Sequence, residues 1–163
     1  MDALGSDIGS QLIAKHALAE TAVTAGGQGD AAEIVGTVID LTALPSRPRS
    51  CKFLVPCEAT LTTAKTLVVA GKVDVSHNNS TWVNLVASAT LLTLTAALPG
   101  PGVAAVNAKN LQANVPGTAN PIRYVRLSVT PDLSHTTTDT AKIGGGVAVF
   151  GGQDFVPQAD PVI

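Results

Sequence analysis

Charge and aromatic rings are both scarce in this sequence. Charged residues make up 13% of the 163 residues and aromatic residues 3%, whereas charged residues are about 25% of an average protein. The basic residues are scattered, and Arg47 and Arg49 come closest to a cluster. A nucleic-acid binder needs several phosphate contacts from one basic face. We therefore expect no direct nucleic-acid partner. A lone monomer with so few charged residues would be poorly soluble. We therefore also expect neighbouring proteins to cover much of the surface.

The sequence also lacks a membrane-spanning run and a secretory signal. Its longest apolar stretches, such as Leu67–Ala70 and Val83–Ala87, are far shorter than the roughly 20 residues that cross a bilayer. Residues 1–10 contain acids and glycines in place of a basic region followed by an apolar one. We expect no membrane partner, and we expect Cys51 and Cys57 to be buried thiols in a reducing cytoplasm.

Sequence motifs for metal binding, nucleophilic catalysis and phosphate binding are missing as well. The three histidines, His16, His77 and His135, lie in separate segments, and none has another histidine or a cysteine two to four residues away. The serines lack the G-x-S-x-G arrangement of an exposed nucleophile, and the glycine runs lack the Gly-Lys-Ser/Thr ending of a phosphate-binding loop. We expect no enzymatic activity, no metal, no cofactor and no small-molecule substrate.

What the sequence does contain is alternation with a period of two residues. In Leu67–Ser76 the odd positions Leu67, Val69, Val73 and Val75 are apolar, and the pattern resumes over Trp82–Thr95. Between them lies the polar tip His77–Ser80, whose asparagines tolerate left-handed backbone conformations. Alternating apolar and polar residues on both sides of such a tip predict a β-hairpin.

Further strands are predicted between turns rich in glycine and proline. The predicted segments are Ile34–Leu41, Cys51–Val55, Val103–Val106, Leu111–Val115, Arg123–Thr130 and Gly146–Phe150. Many short strands separated in this way are typical of an all-β domain, here a β-sandwich or jelly roll with extended arms at both ends.

The predicted organisation has three parts: an N-terminal arm over residues 1–28, a β-sandwich domain over 29–152, and a C-terminal tail over 153–163. Residues 11–24 fit either a short helix or an extended arm containing a strand. We expect the arms to contact neighbouring proteins, and truncation before Ala19 to leave the domain folded. The candidate contact residues are Leu4, Ile8, Leu12, Ile13, Arg47, Arg49, Phe155, Val156 and Ile163.

The order of these segments resembles a known group of proteins. The matching stretches are Gly29–Asp30 with Gly36–Asp40, Ala59–Val69, Thr81–Leu85, Arg123–Arg126 with Thr130–Ser134, and Thr138–Ala141 with the glycine-rich Gly144–Gly152. The group is that of small virion structural proteins of long-tailed bacteriophages, encoded among head genes.

The resemblance implies a head decoration or cement protein, often a trimer, on the capsid surface. Its partners would be the major capsid protein and further copies of itself, after assembly in the bacterial host cytoplasm. Two other functions fit the same patterns: a neck, tail-tube or tail-terminator component, and a carbohydrate-binding or host-adsorption module. For the last of these, Trp82 is the one plausible aromatic platform for a sugar.

Overall fold

A computed structural model describes residues 12–96, 101–134 and 137–152. Within these ranges there is no α-helix, and therefore none with the length and apolarity that a bilayer crossing needs. A 3-10 turn spans Leu41–Ala43. The strands are β1 (Ile13–Leu18), β2 (Thr21–Thr24), β3 (Ile34–Val35), β4 (Ile39–Asp40), β5 (Ser50–Thr60), β6 (Thr66–Ser76), β7 (Val83–Thr95), β8 (Gly102–Ala108), β9 (Tyr124–Leu133), β10 (Thr140–Ile143) and β11 (Gly146–Gly151).

Sheet A consists of four rows of strands, two of which are interrupted. β5 pairs with β8 along one edge, and along its other edge with β10 and β11, which follow one another in a single row. β1 and β2 form the outermost row, because β1 pairs with β11 and β2 with β10. All of these pairings are antiparallel.

Sheet B is built in the same way. β9 pairs with β6 on one side and with the short strands β3 and β4 on the other, while β6 pairs with β7 to form the predicted hairpin. The two sheets enclose one core, in which the largest fully buried side chains include Phe53, Phe150, Leu18, Leu67 and Leu127.

The order of the rows defines a jelly roll. When the eight rows are numbered along the chain, sheet A has the order 1-8-3-6 and sheet B the order 2-7-4-5. Rows 4 and 5, 3 and 6, 2 and 7, and 1 and 8 are therefore antiparallel partners, as in one long hairpin wrapped around a core. The predicted all-β sandwich of jelly-roll type is confirmed.

Gly36 marks a place where a row is interrupted and two backbones come close. At Gly36, between β3 and β4, an added Cβ would overlap the carbonyl oxygens of both Ala17 and Leu127. The amide of Gly36 donates to the carbonyl oxygen of Leu127 on β9 at 2.8 Å. The amide of Thr37 donates to the carbonyl oxygen of Ala17 on β1, also at 2.8 Å. This short segment therefore ties the edge of sheet B to the edge of sheet A.

The outer strand of sheet B carries extra residues. Val69 pairs with Leu92 and Val75 with Val83, so β7 uses ten residues where β6 uses seven. The register shifts at three places between these pairs. Such bulges bend and twist an edge strand and interrupt its regular hydrogen-bonding pattern.

The structure answers the question left open for residues 11–24, because from Ile13 onwards the described residues form β1 and β2. Both strands are integral to sheet A, and Ala17 and Leu18 are 0% and 1% exposed. The expectation that truncation before Ala19 leaves the domain folded is wrong, because this deletion would remove β1 and open the core.

Two predicted strands also differ from the structure. Ile34–Leu41 is divided at Gly36 into β3 and β4, and Leu41 begins the 3-10 turn. Leu111–Val115 is not a strand. Its buried Leu111 and Val115 anchor a loop that contains one isolated bridge, between Asn114 and Pro121.

An ion pair joins Asp40, at the start of the 3-10 turn, to Arg123, directly before β9. Asp40 caps the turn by accepting from the amide of Thr42 at 2.9 Å, and it also accepts from Arg123 Nη2 at 2.9 Å. The Arg123 guanidinium lowers the pKa of Asp40 from 3.8 to about 2, because it donates to the ionised carboxylate. Leu41 N completes the junction by donating to the carbonyl oxygen of Arg123 at 2.8 Å.

We expect Gly36→Ala to be much more destabilising than Gly117→Ala. Gly117 has a φ of +76° but open space around it, so alanine there introduces backbone strain alone, about 1–2 kcal/mol. At Gly36 the methyl group overlaps two carbonyl oxygens that belong to different sheets, and we expect at least about 2 kcal/mol more. Urea unfolding of both variants measures the difference. Equal losses would contradict the tie between the sheets.

We expect the Asp40–Arg123 pair to stabilise the fold above about pH 4 and not near pH 2. The folded-state pKa of Asp40 lies below its unfolded value, so its contribution is lost as the pH falls from about 4 towards 2. Both side chains are partly exposed, so Asp40→Asn is expected to cost no more than about 1 kcal/mol at pH 6. The gap in unfolding free energy between wild type and Asp40→Asn, measured with urea, should be smaller at pH 2.5 than at pH 6. In an Arg123→Gln background the gap should already be small at pH 6, and a gap of unchanged size there would argue against the pair.

Candidate assembly surface

The outer face of sheet A is unusually apolar. In β5 the side chains of Cys51, Phe53 and Val55 are buried, so by alternation Leu54 and Pro56 point away from the core. Leu54 lies opposite Val147 on β11 and Ala105 on β8, while Pro56 lies opposite Val103. Apolar side chains therefore adjoin one another across three rows.

The row formed by β1 and β2 extends this surface. Ala14 lies opposite Val149, and Leu12, just before β1, packs against Gly151 with its Cδ2 3.4 Å from where a Cβ would lie. We name the whole surface the apolar face. It consists of Leu12, Ala14, Leu54, Pro56, Val103, Ala105, Val147 and Val149.

Several of these residues are well exposed despite being large and apolar. Val103 is 54% exposed, Leu12 46% and Val147 36%. Of the charged residues on β5, Glu58 lies beyond one end of the apolar face, whereas Lys52 lies directly opposite Val149. Contiguous apolar surface of this kind usually marks an interaction site.

The outer face of sheet B has the opposite character. Asp74 on β6 is 2% exposed and lies 3.5 Å from Arg126 Nη2 on β9 and 4.0 Å from Lys72 Nζ. Lys72 also pairs with Glu33 at 3.1 Å. These side chains pair with one another, although Arg126 Nε is buried without a hydrogen-bond partner.

Trp82 belongs to this polar face. The guanidinium carbon of Arg126 lies 4.0 Å from the centre of its ring, a cation–π contact that occupies one face of the indole. The ring is half-buried. A sugar platform needs an open ring face, and at least one face of Trp82 is already covered.

A groove of about 600 Å³ lies at one end of the apolar face. Leu12 and Val149 supply apolar walls, and Arg49, Lys52 and Lys109 supply positive charge. No acidic residue is among the described residues that line it. Two of the residues predicted from sequence as assembly contacts, Leu12 and Arg49, are thus brought together here.

The other predicted contact residues are distributed differently. Ile13 pairs with Phe150 and packs against the core. Arg47 donates from Nη2 to the carbonyl oxygen of Ile122 at 2.8 Å, which fixes the loop before β5. Leu4, Ile8, Phe155, Val156 and Ile163 lie outside the described residues.

Sequence reasoning missed the centre of the apolar face, formed by Leu54, Val103 and Val147. A signal was present: β8 and β11 are apolar at almost every position rather than at alternate ones. In an antiparallel sheet this pattern indicates that both faces are covered by protein.

The described residues offer little for chemistry. No group of three or more His, Cys, Asp or Glu side chains within them could hold a metal ion. Cys51 and Cys57 are free and buried, as predicted. Burial raises the pKa of the Cys51 thiol to about 12 and also raises that of Cys57, so neither thiol ionises near neutral pH.

Neither the protein-family models nor the curated proteins give a match to this sequence. Solved structures do match. A chain in the structure of infectious bursal disease virus Gt strain has a TM-score of 0.53 and 10% identity, covering 90% of this chain. A VP2 subviral particle of the same virus has a TM-score of 0.49 and 10% identity, covering 85%.

This chain spans about a third of the viral chains that it matches, 34% and 32% respectively. The N-terminal cellulose-binding domain of Cellulomonas fimi β-1,4-glucanase C has a TM-score of 0.40 and 14% identity, covering 88% of this chain and 90% of its own. At these identities the likeness concerns the fold. The chain has the jelly-roll fold found in the chain of a virus particle.

Proposed function

We propose that this protein is a non-enzymatic structural protein of a tailed-bacteriophage particle that decorates and cements the head shell. The observation that carries the proposal is the apolar face: an ordered sheet whose outer side is built from apolar side chains on four rows. Burial of such a surface against a neighbour contributes about 25 cal/mol per Å². The virus-particle fold and the sequence resemblance to phage head proteins support the same function.

The mechanism is one of contact. Packed genome exerts pressure on a filled head, and a protein that bridges neighbouring capsid subunits opposes their separation by burying area on both. Each contact can be weak, because many copies bound to one lattice act together. The partners under this proposal are the major capsid protein and further copies of the chain in a trimer on the capsid surface.

The polar face of sheet B has a complementary role in this proposal. Its charged side chains, including Lys72, Glu33 and Arg126, pair with one another and remain compatible with water. A decoration protein needs one side that binds the shell and one that faces solvent. We therefore orient sheet A towards the shell and sheet B outwards.

A pair of matched variants tests this orientation. Val103 and Val147 on the apolar face are 54% and 36% exposed, and Val35 and Val38, at the edge of sheet B, are 51% and 37% exposed. We expect Val103→Lys with Val147→Lys to lower occupancy on purified heads at least about tenfold, because two charges would be buried at the contact. The matched change, Val35→Lys with Val38→Lys, should leave occupancy close to wild type.

Occupancy is measured by mixing each purified protein with heads that lack it, then sedimenting and imaging the particles. Equal losses for the two double variants would show a general effect of added charge and contradict the apolar face as the contact. Bound protein seen only in a ring or stack at the neck or tail would assign the chain to that part of the particle. Binding to a glycan array would favour a host-adsorption role.

A further inference from the structure

The groove at the end of the apolar face combines two kinds of recognition. It is lined by the apolar side chains of Leu12 and Val149 and by the basic side chains of Arg49, Lys52 and Lys109. Lys52 and Lys109 are exposed and form no ion pair with another described residue. The groove therefore suits an extended segment that carries both apolar and acidic residues.

The chain itself supplies such a segment, and it starts at the groove. Gly151 is part of the groove wall, and Arg49 N donates to its carbonyl oxygen at 3.2 Å. A Cβ added at Gly152 would lie 3.2 Å from the Cβ of Arg49. Residues 153–163, which follow Gly152 in the sequence, lie outside the described part of the chain.

The composition of residues 153–163 complements the groove. Asp154 and Asp160 are the only charged side chains in this stretch, and Phe155 and Val156 follow the first of them. The segment thus brings negative charge and apolar side chains to a site that has positive charge and apolar walls. It also contains two prolines, Pro157 and Pro161, which favour an extended backbone.

The length of the segment is sufficient. The groove crosses the four rows of sheet A, which are three spacings of about 4.8 Å, or about 14 Å. Five extended residues span about 16 Å at roughly 3.3 Å each. Because the segment is tethered at the rim, its effective concentration at the groove is far above that of the segment of another copy.

We propose that residues 153–163 bind in the groove of their own chain, with Asp154 and Asp160 facing the cluster of Arg49, Lys52 and Lys109. This binding would cover Leu12 and Val149 in the unassembled protein. The inference does not depend on the proposed cementing function, because it concerns an intramolecular contact and is tested without particles.

The test is hydrogen–deuterium exchange of the full chain, read by mass spectrometry over residues 153–163. In wild type we expect exchange at least about tenfold slower than in an unstructured peptide of the same sequence. Lys52→Glu with Lys109→Glu should remove this protection. Lys65→Glu with Lys142→Glu, an equal charge change away from the groove, should retain it. Adding Asp154→Lys with Asp160→Lys to the groove variant should restore it.

Four results would overturn the inference. The first is exchange in wild type as fast as in the free peptide, and the second is protection that survives in the groove variant. The third is protection that falls when the protein is diluted from about 100 µM to about 1 µM, because the segment would then come from another copy. The fourth is binding of a short DNA duplex at Lys52 and Lys109 that is equally strong with and without residues 153–163, which would assign the groove to nucleic acid.

Discussion

Sheet A carries apolar side chains on both of its faces, and this constraint governs the rest of the molecule. The inner face is covered by sheet B, whereas within the described chain nothing covers the outer one. The second apolar face of such a sheet contributes to stability only when a further surface packs against it and removes it from water. Sheet B has no such need, because Asp74, Arg126 and Lys72 leave its outer face polar and internally paired. The domain thus has one apolar and one polar outer side.

The jelly-roll topology allows this division. Successive rows lie in different sheets, except for rows 4 and 5, which both belong to sheet B. Each sheet is therefore built from segments that are distant in the sequence. The apolar face combines residues near 14, 54, 105 and 147. The close approach at Gly36 holds the two sheets together at one edge, so the orientation of both faces is fixed relative to the core.

Period-two alternation was enough to predict the all-β class, the β6–β7 hairpin and β9, because each rests on a local pattern. It failed at Ile34–Leu41 and Leu111–Val115, where apolar residues serve a loop or a broken row and the tertiary contacts decide. The apolar face was missed because its residues come together only through the row order. Uniformly apolar strands such as β8 and β11 were the available signal, and their meaning depends on knowing that the sheet is antiparallel and exposed on one side.

The bulged strand β7 has a consequence for how copies can associate. A straight edge strand offers a template onto which further strands add without limit, and this is the route to fibres. The three register shifts in β7 make its edge a poor template of this kind. Association through a broad sheet surface, in contrast, ends once that surface is filled. Under the proposed function, the chain can therefore associate through its apolar face and still form assemblies of finite size.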